Sequence, residues 1–205
     1  MKEVIKYKNI SAGILIIGAV LAIIYGSLQP LTKSQSFIKG LQNFSQIKTF
    51  GDFTTQFDAI FNYPSPVGNE EIGRFLSDQI TSIISQQNQP EDVSRALVSY
   101  MEPHMTQNDL QTFLTDAHFH LILWENFHKT EDYSAAEQAY LKALAIGPKL
   151  PPVLYGLASL YASGSDRVKF IQTAETILSY WPDDAQLKNL LLSMGSPTST
   201  VPAAK

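Results

Sequence analysis

Near the start of the chain, "ISAGILIIGAVLAIIYGSL", residues 10 to 28, runs for 19 residues without a charge. At about 1.5 Å per helical residue such a run just crosses a hydrocarbon layer of about 30 Å, so it predicts a membrane helix. A basic segment, residues 1–9 with Lys2, Lys6 and Lys8, precedes it, an arrangement shared by cleaved signal peptides. The length of the run and the lack of a clean small-x-small cleavage signal after it, beyond the approximate "YGSLQ", favour an anchor that stays attached. Lys33, Lys39 and Lys48 follow the span. The balance of lysines within reach of the membrane predicts a single pass through the cell membrane, with a cytoplasmic N-terminus and an extracytoplasmic helical domain.

Composition removes several function classes. The 205 residues carry 15 Lys and Arg against 19 Asp and Glu, a net charge of -4, with no basic block that would serve nucleic acid. There is no cysteine, which excludes disulfides, thiolate catalysis, zinc-thiolate sites and acylation of an N-terminal cysteine. A hydrophobic fraction of 44% suffices for one moderate globular domain beside the anchor.

Every periodic stretch after the anchor has helical spacing, which predicts an all-α fold. Phe37, Leu41 and Phe44 share one face, as do Phe53, Phe57, Ile60 and Phe61, with Gly51 between the two stretches. "NEEIGRFLSDQITSII" begins with Asn69 as a candidate N-cap and carries Ile72, Phe75, Leu76, Ile80, Ile83 and Ile84 along one stripe. Val93, Leu97, Tyr100 and Met101 mark a further helix ahead of Pro103, and Thr106 with Asp109 predicts a short one carrying Leu110, Phe113 and Leu114.

"EDYSAAEQAYLKALAIGP" then alternates large and tiny residues, Tyr133, Ala136, Tyr140 and Ala143, before Gly147 and Pro148. Such a stripe predicts a neighbouring helix that approaches closely at the alanines and interlocks around the tyrosines. Two units of 34 residues fit the pattern, Ala117–Leu150 and Pro151–Asp184, with Pro182 falling 34 residues after Pro148 and Tyr161 34 after Phe127. The chain resembles the tetratricopeptide repeat, with Leu123, Phe127, Tyr133, Ala136, Tyr140, Ala143 and Pro148 at that family's large, small and turn positions. It departs from the family at Trp124, where a small residue is usual, and at Phe170 and Ala174, where the sizes are exchanged. The resemblance implies a right-handed stack of antiparallel helix pairs, an α-solenoid. Two repeats alone are marginal, so the helical region 33–116 is expected to pack on them. Residues 185–194 are expected to cap the stack through Leu187, Leu190 and Leu191, and residues 195–205 to form a disordered tail.

From "FDAIFNYPSPVGNEEIGRFLSDQ" to the end of the first repeat and beyond, the chain also resembles the soluble helical tail that follows the last membrane span in some bacterial O-antigen ligase or polymerase family proteins. The multi-span region that carries that family's chemistry is not present here, so no catalytic residue transfers. What the resemblance implies is a place beside envelope glycan-assembly proteins.

The residues themselves offer little catalytic chemistry. His118, Glu125 and His128 fall near one side of a helix but lack a tight i, i+4 ligand pair and a fourth ligand, so no metal is expected. Glu70 with Glu71 and Asp183 with Asp184 are placed to favour helix starts rather than acid-base work. "ASGSDR", residues 162–167, fits an interhelical turn rather than a phosphate cradle, and no G-x-S-x-G elbow occurs. The expectation is a non-enzymatic scaffold or adaptor without cofactor or metal. Its partner would be a protein or peptide segment, held on a concave face formed by His118, Leu121, Glu125, His128, Tyr155 and Ser159. The alternatives are an accessory or regulatory component of surface polysaccharide polymerisation or ligation, and an enzyme using the histidines.

Overall fold

The structure, a computed structural model, describes residues 2–105 and 108–193. All regular elements among them are helical: α1 (Lys2–Ile23), α2 (Gln29–Gln42), α3 (Phe50–Phe61), α4 (Asn69–Ile84), α5 (Glu91–Met101), α6 (Leu110–Phe127), α7 (Thr130–Ile146), α8 (Pro151–Ser163), α9 (Arg167–Tyr180) and α10 (Ala185–Ser193). They belong to two compact units, one of residues up to Gln79 with Ser99–Met105, the other of Ile80–Val98 with the residues from 106 onward. The region 33–116 contributes to both units.

In the first unit, one helix is long and apolar enough to cross a membrane. Ile14, Leu15, Ile16 and Ile17 point in all directions around it and are each more than 60% exposed, which is the pattern lipid contact requires. The helix does not stop at Leu28, where the strongly apolar run ends. It continues as 31 unbroken residues from Ala12 to Gln42, through a π-helical turn at Ile24–Leu28. Pro30 accounts for the turn: it lacks an N–H, its ring would press on the carbonyl of Gly26, and widening the helix just before it relieves both faults.

Past the turn, α2 packs on α3. Phe37, Phe53, Phe57, Ile60 and Phe61 are buried, as their spacing predicts. Phe75, expected on the apolar stripe of α4, is 57% exposed, its ring tilted against that of Phe37 at 6.4 Å. Two polar contacts fix the ends of this pair. Gln56 donates from Nε2 to the Gly40 carbonyl at 2.9 Å, where a Cβ on Gly40 would lie 3.1 Å from Ile60 Cδ1. At the other end Lys33, only 1% exposed, donates from Nζ to the carbonyls of Phe61 at 3.1 Å and Tyr63 at 3.2 Å. These are carbonyls that the end of α3 leaves without helical partners, so the ammonium caps the helix and is itself satisfied. Gly68 (φ +106°) sits at the N-cap position of α4 and accepts from the Ile72 N–H at 3.1 Å, with Asn69 as the first helical residue rather than the cap.

His104 stacks face to face on Phe61, centroids 3.7 Å apart, and is half-buried. Burial pushes its imidazole below the ordinary value of 6.5, with Asp58 opposing the shift. The unfolded chain therefore binds this proton more readily than the folded one, and stability is lost as pH falls through 6.5 toward the folded value. Denaturant midpoints of the detergent-solubilised chain on either side of 6.5 should show the loss, and His104→Gln should flatten the profile in that window. A profile unchanged by the substitution would contradict this.

In the second unit α6 packs on α7, α7 on α8, α8 on α9, α9 on α10, and α6 also on α8. The expected start at Thr106 lies outside the described residues. No separate short helix follows it: α6 begins at Leu110, where Asp109 Oδ1 accepts from the Thr112 N–H at 2.7 Å, and runs unbroken to Phe127. Leu110, Phe113 and Leu114 stand at helical intervals from Ala117 and Leu121, and all five join one core. His128, in the left-handed region at φ +54°, closes α6 and turns the chain into α7.

The stripe of α7 interlocks as its sizes predict. Ala136, Tyr140 and Ala143 are buried, and Gly156 of α8 lies so close beneath Tyr140 that a Cβ there would meet the ring at 2.3 Å. Gly164, at the end of α8, stands in the same relation to Tyr133. Phe170, Ala174 and Ile177 bring α9 to this core. From α10 Leu187 and Leu191 are buried, whereas Leu190, expected beside them, is 44% exposed, since one short helix turns a single stripe to its neighbour. Met194 and the tail 195–205 lie outside the described residues.

Candidate functional site

The face expected to bind a partner is built on α6 and α8. His118 and Glu125 are exposed on α6, and Tyr155 and Ser159 are exposed one turn apart on α8. Leu121 does not belong with them. It is 7% exposed and part of the core, because α6 is covered by both α7 and α8 and buries Ala117, Phe119, Leu121, Ile122 and Leu123 around most of its circumference. His128 is exposed where α6 ends, its ring edge-to-face with Trp124 at 5.6 Å.

Side chains missed by the sequence reading complete the arrangement. Trp124 donates from Nε1 to Ser163 Oγ at 3.1 Å and lies 5.3 Å from the Tyr133 ring. Tyr155 donates its hydroxyl to Asp184 Oδ2 at 2.5 Å, and its ring lies 6.1 Å from that of Trp181. The bond to Asp184 raises the Tyr155 hydroxyl above its ordinary value. The same bond, with the Leu187 N–H, holds the Asp184 carboxyl below the usual carboxylate range. A signal for Asp184 was present in its position one residue ahead of a helix, but its contact with Tyr155 spans 29 residues and leaves no mark in the sequence. Neither α6 nor α8 contains a lysine or arginine, and two of the charged side chains at this face, Glu125 and Asp184, are acidic. A recess of about 290 Å³ between α7, α8 and α9, bounded by Leu144, Leu157, Thr176 and Tyr180, is separate from these residues.

The other polar cluster is an ion network. Arg95 grips Asp132 through two bonds, Nη1 to Oδ1 at 3.1 Å and Nη2 to Oδ2 at 2.7 Å, and donates from Nε to Glu91 at 2.6 Å. Lys129 also meets Glu91, at 2.5 Å. Asp132 is 2% exposed, and its partnership drives the Arg95 guanidinium still further above its ordinary value. His120 approaches Asp132 and Asp116, each at 3.6 Å, beyond hydrogen-bonding distance. With both oxygens of Asp132 committed to Arg95, the geometry is that of a structural lock rather than an acid-base pair. Among the described residues no group of three or more His, Asp or Glu side chains is placed to hold a metal ion, His118, Glu125 and His128 included.

No protein-family model matches the chain, and no curated protein or solved structure matches it either.

Proposed function

We propose that this chain is a membrane-anchored adaptor of the bacterial cell envelope, with a tetratricopeptide-type stack as its binding part. In this reading α6 with α7 and α8 with α9 are two antiparallel repeat pairs capped by α10. The observation that carries it is the contact of α6 with α8 as well as with α7, together with glycines seated under Tyr140 and Tyr133. Neighbouring pairs in such a stack meet through their first helices, and in this reading His118, Glu125, Tyr155 and Ser159 share one face. An extended segment of another protein, carrying an apolar or aromatic side chain and a lysine or arginine, fits the aromatic rings and the acidic charges there. Residues 10–28 cross the membrane once, leaving the N-terminus in the cytoplasm and the helical units outside it.

Photo-crosslinking in native membranes tests the reading, with a photoreactive residue at Tyr155 and a control at the exposed Lys142 of α7. The expected result is a discrete product from Tyr155 alone, diminished by Glu125→Ala or Ser159→Arg. Equal products from both positions, or none, would remove the α6/α8 face as the partner site. The resemblance to the tail of O-antigen ligase or polymerase proteins favours glycan-assembly proteins as the partner. A changed length distribution of surface glycan on deletion of the gene would support that assignment, and an unchanged one would leave a general adaptor.

A further inference from the structure

Given that residues 10–28 cross a membrane, as proposed above, we infer that the loop Tyr63–Gly68 rests in the headgroup layer of that bilayer. The helix continues past Leu28, the end of the proposed span, without a break, so distance from the bilayer can be counted along it. Lys33 lies five residues past Leu28, about 7.5 Å at the helical rise. The headgroup layer on each side is about 5–7 Å thick. Helical side chains lean toward the N-terminus of their helix, here back toward the membrane, so the Lys33 ammonium stands closer to it than its own Cα. That ammonium holds the carbonyls of Phe61 and Tyr63, which fixes the start of the loop at this depth. The end of the loop is fixed there too, since a Cβ on Gly68 would lie 3.6 Å from Lys33 Cδ.

The loop has the chemistry for that layer. "AIFNYPSPVGN", residues 59–69, holds no charge that would favour bulk water. Val67 is 59% exposed, with Pro64 and Pro66 also exposed. Tyr63 is half-buried, an aromatic residue of the kind enriched at membrane interfaces. Ser65 Oγ donates to the Val67 carbonyl at 2.7 Å, so the loop presents Val67 on a backbone that is already set. A lipid surface is the occupant because Lys33, against which both ends of the loop are held, lies on the same unbroken helix as the segment that enters the lipid, only five residues past it.

The absence of cysteine allows a single fluorescent label at any chosen position. Full-length Ile17→Cys, Val67→Cys and Ser45→Cys variants, each labelled with an environment-sensitive dye, are reconstituted into phosphatidylethanolamine and phosphatidylglycerol vesicles. The vesicles contain lipids spin-labelled either at the headgroup or deep in the acyl chain. The Val67 label should lose most of its emission to the headgroup quencher and little to the deep one, the Ile17 label the reverse, and the exposed Ser45 position, at the far end of α2, should respond to neither. If Val67 behaves as Ser45 does while Ile17 is quenched by the deep label, the loop stands in water or against a protein, and the inference falls while the anchor survives. If Ile17 is quenched by neither, the anchor falls and this inference with it.

Discussion

Arg95→Ala is expected to destabilise the second unit by about 3–5 kcal/mol, among the largest effects of any single substitution in the chain. The cost comes from what is left behind rather than from the energy of the pair. Asp132 is 2% exposed and both its oxygens are held by Arg95, so deleting the guanidinium strands a carboxylate in a site that water scarcely reaches. His120 stands 3.6 Å away and offers only a partial substitute. Arg95→Lys should recover a minority of the loss, because an ammonium cannot engage both oxygens in the planar two-bond geometry. In Arg95→Ala/Asp132→Ala the stranded charge is gone, so the double variant should be more stable than Arg95→Ala alone. Urea unfolding of the purified chain in detergent, followed by the ellipticity of the helices, measures all four proteins. A loss below about 1 kcal/mol for Arg95→Ala would mean that the pair behaves as an exposed one and that Asp132 is hydrated. The rest of the network needs no such penalty: Glu91 and Lys129 are more exposed than Asp132 and contribute as surface charges do.

This lock was not legible in the sequence, whereas the helices around it were, and the reason is physical. Periodicity reports which face of an element is apolar, and that suffices where burial follows from local spacing. Phe53, Phe57, Ile60 and Phe61 are buried as their intervals require. The α7 stripe is another such case, and α7 and α9 end 34 residues apart, at Ile146 and Tyr180, the interval at which Pro148 and Pro182 recur. Lys33 and Asp132 are different. A single charged residue carries no periodic signal, and its burial depends on partners 28 to 37 residues away in sequence. Positions at the margin of a stripe are the intermediate case. Leu121 is three residues from His118 and four from Ala117, so spacing alone permits either face, and the second helix packed on α6 decides for the core. Trp124, which breaks the small-residue pattern expected there, is accommodated because the end of α8 is small, with Ser163 bonded to the indole and Gly164 beside Tyr133.

The contact of Tyr140 with Gly156 should show the strongest coupling of any apolar pair in the second unit. Tyr140→Ala is expected to cost about 3–5 kcal/mol, since Tyr140 is 4% exposed and its removal opens a cavity between α7 and α8. Burial raises the Tyr140 hydroxyl to about 12, so the ring stays uncharged through the working range and acts by volume. Gly156→Leu is expected to cost about 1–3 kcal/mol or more from overpacking, even though leaving glycine out of a helix interior by itself contributes about 1 kcal/mol in favour of folding. The clash cannot be relieved cheaply, because the atoms that a new Cβ meets are the Cε1, Cζ and hydroxyl of a ring that is itself enclosed. Combined, the two changes exchange large and small across the interface and roughly conserve its volume. The double variant is therefore expected to be more stable than Tyr140→Ala, which requires a favourable coupling between the sites larger than the cost of Gly156→Leu alone. Additive losses in the same urea titrations would mean that the two residues do not share a packing site. Rescue would establish that the alternation of tyrosine and small residues sets the spacing of these helices, and with it the distance between the α6 and α8 residues to which a partner segment would bind.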